Sequence, residues 1–275
     1  MKKHLSNLIL VLTLIIGLSL LLYPTVSDWW NSMHQSYAIA NYDSILSEMS
    51  EEDYSHLFEP AVEYNEELKK LAFPLMYYDE VEGYDQILDI TGTGIMGYID
   101  IPKIQVELPV YHGTSEGVLQ IAVGHVQGSS LPTGGEGTHC VLSAHRGLPT
   151  AKLFSDLDKM QLGDVFTLTV VDRVLTYEVD QILIVLPHEV EALYVTEGED
   201  YCTLVTCTPY GVNSHRMLVR GTRIETEKQA VNRRVTADAI RIEPVIVAPF
   251  MASPILALLF ILILLPKPKK KRRRG

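Results

Sequence analysis

The central part of the chain, residues 94–225, is a succession of short β-strand patterns separated by turns. Apolar side chains alternate with polar ones at Phe166, Leu168 and Val170, and the same alternation recurs in residues 175–179. Glycines separate these runs, and no long helical pattern intervenes. About 130 residues of this kind can bury one core, and their spacing favours a closed or nearly closed β-barrel. We therefore predict a mainly β fold.

The region before the barrel, residues 24–93, has a helical pattern instead. Apolar side chains recur there at spacings of three and four in two stripes: Ile39, Tyr42, Ile45, Leu46 and Met49, then Leu57, Ala61, Tyr64, Leu68 and Leu71. We predict two amphipathic helices that cap the barrel core, with the docking of a partner protein as the alternative. Pro74 should end the second helix, because proline cannot continue a helical hydrogen-bond ladder.

The N-terminal end of the chain is apolar. Residues 5–23 form an uncharged stretch that follows Lys2 and Lys3. As a helix, this stretch is long enough to cross about 30 Å of hydrocarbon. A removed signal peptide would have a similar pattern, but no small-residue cleavage site directly follows Tyr23. We predict an uncleaved membrane anchor, with residues 1–4 in the cytoplasm.

A second apolar stretch, residues 245–265, is followed by a strongly basic tail at residues 266–275. A basic run beside an apolar segment is typical of a membrane span with a cytoplasmic stop, and it is less typical of a nucleic-acid patch. We predict a second transmembrane helix there. Residues 227–244 would link it to a catalytic barrel domain that covers residues 94–226.

With both termini in the cytoplasm, the barrel and its helical extension would face outward. The chain has 23 basic and 34 acidic residues, and nine of the basic residues flank the two apolar stretches. The remaining 14 basic residues give the outward part a net charge of −20. This surface argues against nucleic acid as a partner, and it favours solubility.

The chain contains three cysteines, Cys140, Cys202 and Cys207. An odd number leaves at least one thiol unpaired within the chain. Cys202 and Cys207 are separated by an odd number of positions, so on one strand they would lie on opposite faces and could not bridge each other. We expect Cys140 and Cys202 to be buried small side chains. No metal-binding spacing is present, and we expect neither a metal nor a cofactor.

Cys207 ends an apolar strand, and Pro209 follows it. Proline cannot continue a central ladder, so the strand should stop there and leave the sulfur at a rim. A tight turn over residues 208–214 would bring Arg216 opposite Cys207 across an antiparallel pair. A thiolate beside a guanidinium suits acyl transfer, because the cation can hold the oxyanion that forms. Arg146 and Arg220 are alternatives for this cation.

A histidine that could move protons, His145, follows another apolar strand and precedes a turn. Spacing alone does not pair it with Cys207, because the two residues are far apart in the chain. Only the fold can bring them together.

The segments TLVTCTPYGVNSHR and, upstream, VLSAHRG resemble the signature of the sortases, over residues 94–223. This resemblance implies a β-barrel cysteine transpeptidase of Gram-positive cell surfaces that cleaves a Leu-Pro-x-Thr-Gly signal between Thr and Gly. It also implies that Cys207 is the nucleophile, His145 the general acid or base, and Arg216 the residue that positions substrate and stabilises the oxyanion. Thr206, beside the nucleophile, is expected to contact substrate.

CTPYGVNSHR, the helical extension and the second apolar stretch are similar to class C sortases, which polymerise pilins. This similarity implies pilin proteins as partners and a pilin lysine as the acceptor amine. Many class C members have an Asp-Pro-aromatic lid before the barrel, whereas here the segment is LAFPLMYYDE and no Asp precedes Phe73. A lid in this chain would use Phe73, Tyr77 or Tyr78.

Three other functions are consistent with these residues. The chain could be a sortase that attaches proteins to peptidoglycan, a cysteine peptidase that transfers the acyl group to water, or an inactive membrane scaffold. The joint presence of Cys207, His145 and Arg216 argues against the scaffold.

Overall fold

A computed structural model describes residues 2–226, and its main unit is a closed barrel of eight strands. The strands are β1 (Ile95–Ile101), β2 (Val106–His112), β3 (Val123–His125), β4 (Thr138–Ser143), β5 (Val165–Val170), β6 (Arg173–Val185), β7 (Asp200–Thr208) and β8 (His215–Ile224). The α-helices are α1 (Lys2–Ser47), α2 (Glu51–Lys69), α3 (Pro74–Tyr77) and α4 (Glu116–Leu119). Short 3-10 turns cover Tyr78–Glu80, Tyr84–Gln86, Pro102–Ile104, Leu157–Lys159 and Glu191–Leu193.

Around the barrel the strands follow the order β1-β2-β3-β4-β7-β8-β6-β5, and β5 pairs with β1 to close it. Two of the pairs, β2–β3 and β4–β7, are parallel, and the others are antiparallel. The parallel β4–β7 pair joins segments that are distant in the chain. The predicted closed barrel is confirmed.

The alternating residues of β5 and β6 point into the barrel as predicted. Phe166, Leu168 and Tyr177 are buried there, and the rings of Phe166 and Tyr177 stack with centroids 5.6 Å apart. Gly221 of β8 faces this pair, and a Cβ at that position would lie 2.8 Å from Cε1 of Phe166 and 2.8 Å from Cβ of Tyr177. The core therefore requires glycine where β8 crosses the two aromatic side chains.

The N-terminal helix α1 is a single helix that continues through Pro24. It thus joins the two predicted segments, residues 5–23 and the start of the helical extension. Proline removes one backbone donor, and the helix tolerates this loss here. Within residues 2–226, α1 is the one helix long and apolar enough to cross a membrane.

The two predicted amphipathic stripes pack on the barrel core. Tyr42 and Leu46 of α1 are buried in it, as are Ala61 and Tyr64 of α2. Burial leaves the Tyr64 hydroxyl without a partner among the described residues and raises its pKa to about 12. The prediction that these helices cap the core is confirmed.

Polar side chains fix the position of the extension. Asn65 of α2 accepts a 2.7 Å hydrogen bond from the Leu131 amide and donates one of 3.1 Å to the Leu131 carbonyl oxygen. The Tyr84 hydroxyl, in the segment after α3, lies 2.9 Å from Nδ1 of His125 in β3. Both anchors are buried, so the segment between α2 and β1 is fixed to the barrel at each end.

The predicted second membrane span at residues 245–265, its linker at residues 227–244 and the basic tail at residues 266–275 lie outside the described residues.

Candidate active site

Cys207 is the next-to-last residue of β7, and its side chain is half-buried. The strand ends one residue later, at Thr208, directly before Pro209. This end matches the prediction, because proline has no N–H to continue the ladder. The sulfur is therefore held by a strand but lies at the rim of the barrel.

Arg216 lies directly opposite Cys207 in the antiparallel β7–β8 pair. The turn between the strands is tightened by hydrogen bonds from the amides of Val212 and Asn213 to the Pro209 carbonyl oxygen, of 3.1 and 2.9 Å. Asn213 has a φ of 59°, a left-handed conformation that asparagine tolerates. The predicted turn thus brings the guanidinium to the same side of the sheet as the thiol.

His145 lies on the other flank of β7. In the parallel β4–β7 pair, Ser143 is the partner of Val205. The same offset of 62 residues relates His145 to Cys207, so the β4–β7 register, if continued for two residues, would have these two residues side by side. An amide-to-carbonyl bond of 3.2 Å from Ala144 to Val205 continues the pairing beyond the end of β4. Arg216 is thus the cross-strand partner of Cys207, and His145 follows the end of the strand on its other flank.

A small apolar cluster lies beside Cys207 and Arg216 on the outer face of the barrel wall. Val141, Val205 and Leu218 form a buried cluster separate from the main core. Because residues two positions apart on a strand share a face, Val205 lies on the face of Cys207 and Leu218 on that of Arg216. Leu193, from the β6–β7 connection, packs against this cluster. The β6–β7 connection thus covers a small apolar cluster that lies next to Cys207.

Arg216 differs from the alternative cations in its partners. Its Nη1 donates to the carbonyl oxygens of Asn213 and His215, at 3.2 and 3.1 Å, and no ion pair within residues 2–226 involves it. Arg146 is paired with Asp158 at 2.5 Å, and its side chain is only 10% exposed. Arg220 makes two bonds to Asp180, of 3.0 and 2.6 Å. Of the three, Arg216 is the guanidinium without a carboxylate partner.

A residue that the sequence did not single out, Glu116, lies next to the histidine. Its carboxylate is 3.7 Å from Nε2 of His145, and the Glu116 side chain is 72% exposed. An ion pair this exposed contributes little, because water and salt screen it. Glu116 is the first residue of α4, and no sequence pattern relates it to His145.

Thr206 does not lie on the face of Cys207. It is the neighbouring residue on the strand, so its side chain points to the opposite face, and it is 1% exposed. Its hydroxyl donates a 2.9 Å hydrogen bond to the Ala144 carbonyl oxygen. This contact ties β7 to the segment that carries His145, which differs from the substrate contact expected from the sequence.

The predicted lid residues lie in and after α3. Phe73 and Tyr77 are exposed, whereas Tyr78 is half-buried against the main core. The backbone of this segment rests on the β3–β4 connection, where a Cβ at Gly128 would be 2.4 Å from the Pro74 carbonyl oxygen. A cleft of about 410 Å³ separates the segment from the β6–β7 connection.

The other two cysteines face the barrel interior. Cys140 and Cys202 are partners in the β4–β7 register, and both are buried free thiols. Burial raises the pKa of the Cys202 thiol, so this group is a poor nucleophile. Cys202 and Cys207 lie on opposite faces of β7, as predicted.

The structure is a closed β-barrel with a free cysteine at its rim, directly opposite an arginine of the neighbouring strand. Residues 99–224 match the sortase domain family. Over 117 residues the chain is 32% identical to sortase A of Streptococcus agalactiae serotype III (strain NEM316), an alignment that covers 42% of this chain and 47% of that protein. The chain therefore spans about half the length of this relative.

Solved structures extend the similarity to the helices. Sortase C1 of Streptococcus agalactiae is 49% identical, with a TM-score of 0.64, and the alignment covers 70% of this chain and 100% of that one. Sortase C of Streptococcus pneumoniae is 46% identical, with a TM-score of 0.63 and coverages of 69% and 97%. That structure is reported in relation to catalysis and pilin substrate specificity. The chain belongs to the sortase family.

Proposed function

We propose that this chain is a cysteine transpeptidase that cleaves a Leu-Pro-x-Thr-Gly-like sorting signal and joins pilin subunits through lysine isopeptide bonds. The observation that carries the proposal is the register of β7, which has Arg216 opposite Cys207 on one side and His145 in the continued register on the other.

In the first step the Cys207 thiolate attacks the carbonyl carbon of the Thr–Gly bond. The negative charge that develops on the carbonyl oxygen faces Arg216, whose guanidinium stabilises it. The C–N bond then breaks, and His145 gives a proton to the leaving amine. The product of this step is a thioester between Cys207 and the threonine carbonyl.

In the second step a lysine amine of another pilin attacks the thioester carbonyl. His145 accepts the proton that the amine loses, and the C–S bond breaks to release Cys207. No redox change occurs, and the residues described above supply each proton transfer. Neither a metal nor a cofactor is required by these steps.

The apolar cluster beside Cys207 suits the Leu-Pro part of such a signal. Val205 and Leu218 are buried there beneath the β6–β7 connection, which contributes Leu193. An extended peptide between this connection and the barrel wall would have its apolar residues on the cluster and its Thr–Gly bond near Cys207. The similarity to class C sortases supports pilins as substrates, because the pneumococcal relative is described with pilin specificity.

The membrane setting of this proposal follows from the sequence. The apolar half of α1, residues 5–23, would be a transmembrane anchor, and residues 245–265 a second one. Both termini would then lie in the cytoplasm, with residues 24–93 and the catalytic barrel at residues 94–226 outside it. The linker, residues 227–244, and the basic tail, residues 266–275, complete this organisation.

Residues 73–78 are proposed as a lid for the active site, formed by Phe73, Tyr77 and Tyr78. The close approach of Pro74 to Gly128 supports this proposal, because it holds the segment against the β3–β4 connection, across a cleft from the β6–β7 connection. The lid would differ from one that uses an aspartate.

The proposal is tested by incubating the full chain, in detergent, with a sorting-signal pilin and a second pilin. A covalent pilin ladder with a lysine-linked bond, found by mass spectrometry of digested products, is expected. A hydrolysed signal without ladder would indicate a peptidase, and transfer only to a cell-wall precursor would indicate peptidoglycan anchoring. No cleavage at all would indicate a scaffold. Each of these three results would contradict the proposal.

A further inference from the structure

Helix α1 continues without a break from its apolar N-terminal half into the part that packs on the barrel. The most apolar window of α1 is not buried against the protein, so this part of the helix is free to lie in lipid. No loop separates it from the part that packs on the barrel, since α1 is one helix from Lys2 to Ser47. The position of the barrel relative to a membrane is therefore set by where the barrel contacts α1.

Three hydrogen bonds fix that contact close to the apolar half. Asp28 accepts a 2.8 Å bond from the Lys152 amide. Asn31 donates a 2.8 Å bond to the Thr150 carbonyl oxygen, and Gln35 donates one of 2.6 Å to that of Ile121. Residues 28, 31 and 35 are spaced by three and four, so one face of α1 makes all three bonds.

These bonds begin at the outer edge of the headgroup layer of a bilayer. Asp28 is five residues beyond Tyr23, a rise of about 7.5 Å along the helix. The headgroup layer is about 5–7 Å thick on each side. Tyr23, Trp29 and Trp30 are exposed along this part of α1, and exposed aromatic residues are typical of the membrane–water interface. The Thr150–Lys152 backbone therefore lies at the outer edge of the headgroups.

The end of the barrel that is hydrogen-bonded to α1 near the headgroups is the end that carries Cys207 and Arg216. The Phe154 amide donates a 3.1 Å bond to the His145 carbonyl oxygen, which closes residues 145–154 into a loop. This loop contacts the β7–β8 turn, since a Cβ at Gly147 would lie 2.4 Å from the Tyr210 ring. Backbone lengths and strand spacing put Cys207 within about 20 Å of the Lys152 amide.

The opposite end of the barrel contacts α1 farther from its apolar half. The Tyr42 hydroxyl accepts a 2.8 Å bond from the amide of Val171, in the β5–β6 turn. The β5–β6 turn lies at the end of the barrel away from Arg216. Strand β6 begins at this turn and reaches Val185, the partner of Arg216, only at its other end. From Asp28 to Tyr42 the helix rises about 21 Å. The barrel thus lies along α1 with its reactive end toward the apolar half.

We propose that the reactive end of the barrel rests on the phospholipid headgroup layer, through the loop of residues 147–152 and the β7–β8 turn with its exposed Tyr210 and Val212. The enzyme would then act on polypeptides whose cleavage site is held at the membrane surface. The statement about substrates rests on the proposed function. The contact with the headgroups rests on insertion of α1 and does not depend on catalysis.

The contact would not depend on anionic lipid. The cations of the adjoining loop are paired within the protein: Arg146 with Asp158, and both Lys152 and Lys159 with Asp156. Arg216, beside the β7–β8 turn, lacks a carboxylate partner among the described residues, so only a small positive charge is left at this end to attract acidic headgroups. The helix α1 and the exposed apolar side chains determine the docking instead.

Fluorescence quenching in vesicles tests the proposal with the full chain carrying Cys207→Ala. A fluorophore is attached at Val212→Cys or, as the matched control at the far end of the barrel, at Glu136→Cys; both positions are exposed. Cys140 and Cys202 are buried and should not be labelled. The vesicles contain phosphatidylcholine and phosphatidylglycerol in equal parts, with a nitroxide on some headgroups.

We expect the label at residue 212 to be quenched several-fold more than the label at residue 136, and equally in vesicles of phosphatidylcholine alone. Equal or reversed quenching of the two labels would overturn the proposal. The chain has two tryptophans, Trp29 and Trp30, and lipids brominated near the headgroup should quench both. Their failure to do so would show that α1 is not inserted and would also overturn the proposal. Catalytic inactivity would leave these measurements unchanged, so the two proposals fail separately.

Discussion

The hydroxyl of Thr206 donates a 2.9 Å hydrogen bond to the carbonyl oxygen of Ala144. These residues directly precede Cys207 and His145, so one buried bond links the strand end with the thiol to the segment with the imidazole. Because the bond lies on the inner face, it can fix both backbones while the outer face stays free for substrate. The geometry of the candidate site thus depends on the parallel β4–β7 pair.

Replacement of Arg216 by lysine should lower kcat for ligation by about 100-fold or more, with a smaller change in KM, because a point charge cannot replace the guanidinium donors at the oxyanion. Steady-state ligation of a sorting-signal peptide measures this. The matched control is Arg220→Lys, since Arg220 is held by Asp180 away from the thiol. An equal loss of kcat in both variants would contradict the assignment of Arg216.

Replacement of Tyr42 by phenylalanine should reduce the free energy of unfolding by about 2 kcal/mol. The Tyr42 hydroxyl donates to the Met96 carbonyl oxygen at 3.0 Å and accepts from the Val171 amide, and the variant leaves both buried groups without this partner. Urea unfolding of the full chain in detergent measures the change. Tyr37→Phe, at an exposed position of the same helix, is the control and should have little effect.

The stability of the fold should decrease in mild acid because of His139. Burial lowers the pKa of His139, and the charge of Arg220 lowers it further, against the opposing effects of the Tyr194 carbonyl and Asp180. The unfolded chain therefore binds the proton more readily, so the free energy of unfolding falls as the pH decreases below about 6.5.

Urea unfolding of the wild type and of His139→Gln, at a pH of about 8 and of about 5.5, measures this contribution. The wild type should lose more stability between the two values than the variant, which lacks the titrating ring. The same loss in both proteins would indicate that His139 does not cause the acid sensitivity.

Replacement of Gly128 by alanine should displace residues 73–78 from the barrel and make Cys207 react several-fold faster with a bulky thiol reagent. The added Cβ would meet the Pro74 carbonyl oxygen at 2.4 Å, and a backbone atom cannot move aside alone. Gly135→Ala is the control, because Gly135 also has a positive φ, of 106°, but no described atom within 4 Å of the new Cβ. Unchanged reactivity in Gly128→Ala would argue against the proposed lid.

Much of the barrel could be predicted from the sequence because its signals are local. The alternation at Phe166 and Leu168 identifies a strand, and Pro209 marks the end of another. The turn that brings Arg216 opposite Cys207 lies within ten residues of both, so its geometry follows from turn chemistry.

The position of His145 at the end of the strand beside β7 could not be predicted in this way. It depends on the register of two parallel strands that are joined by a long connection, and only the family resemblance suggested it. The inward direction of Thr206 and the nearness of Glu116 to His145 are also consequences of tertiary packing. The same is true of the bonds from α1 to the loop at Thr150, which no periodic pattern indicates.

The most direct test of the central claim is to locate the acyl group on the enzyme. The full chain is incubated with a sorting-signal peptide and no amine acceptor, then quenched in acid and analysed by peptide mass mapping. We predict that the N-terminal part of the peptide, up to its threonine, is attached to Cys207, is released by hydroxylamine, and is absent from Cys207→Ala. An adduct that persists in Cys207→Ala, or that maps to another residue, would contradict the claim.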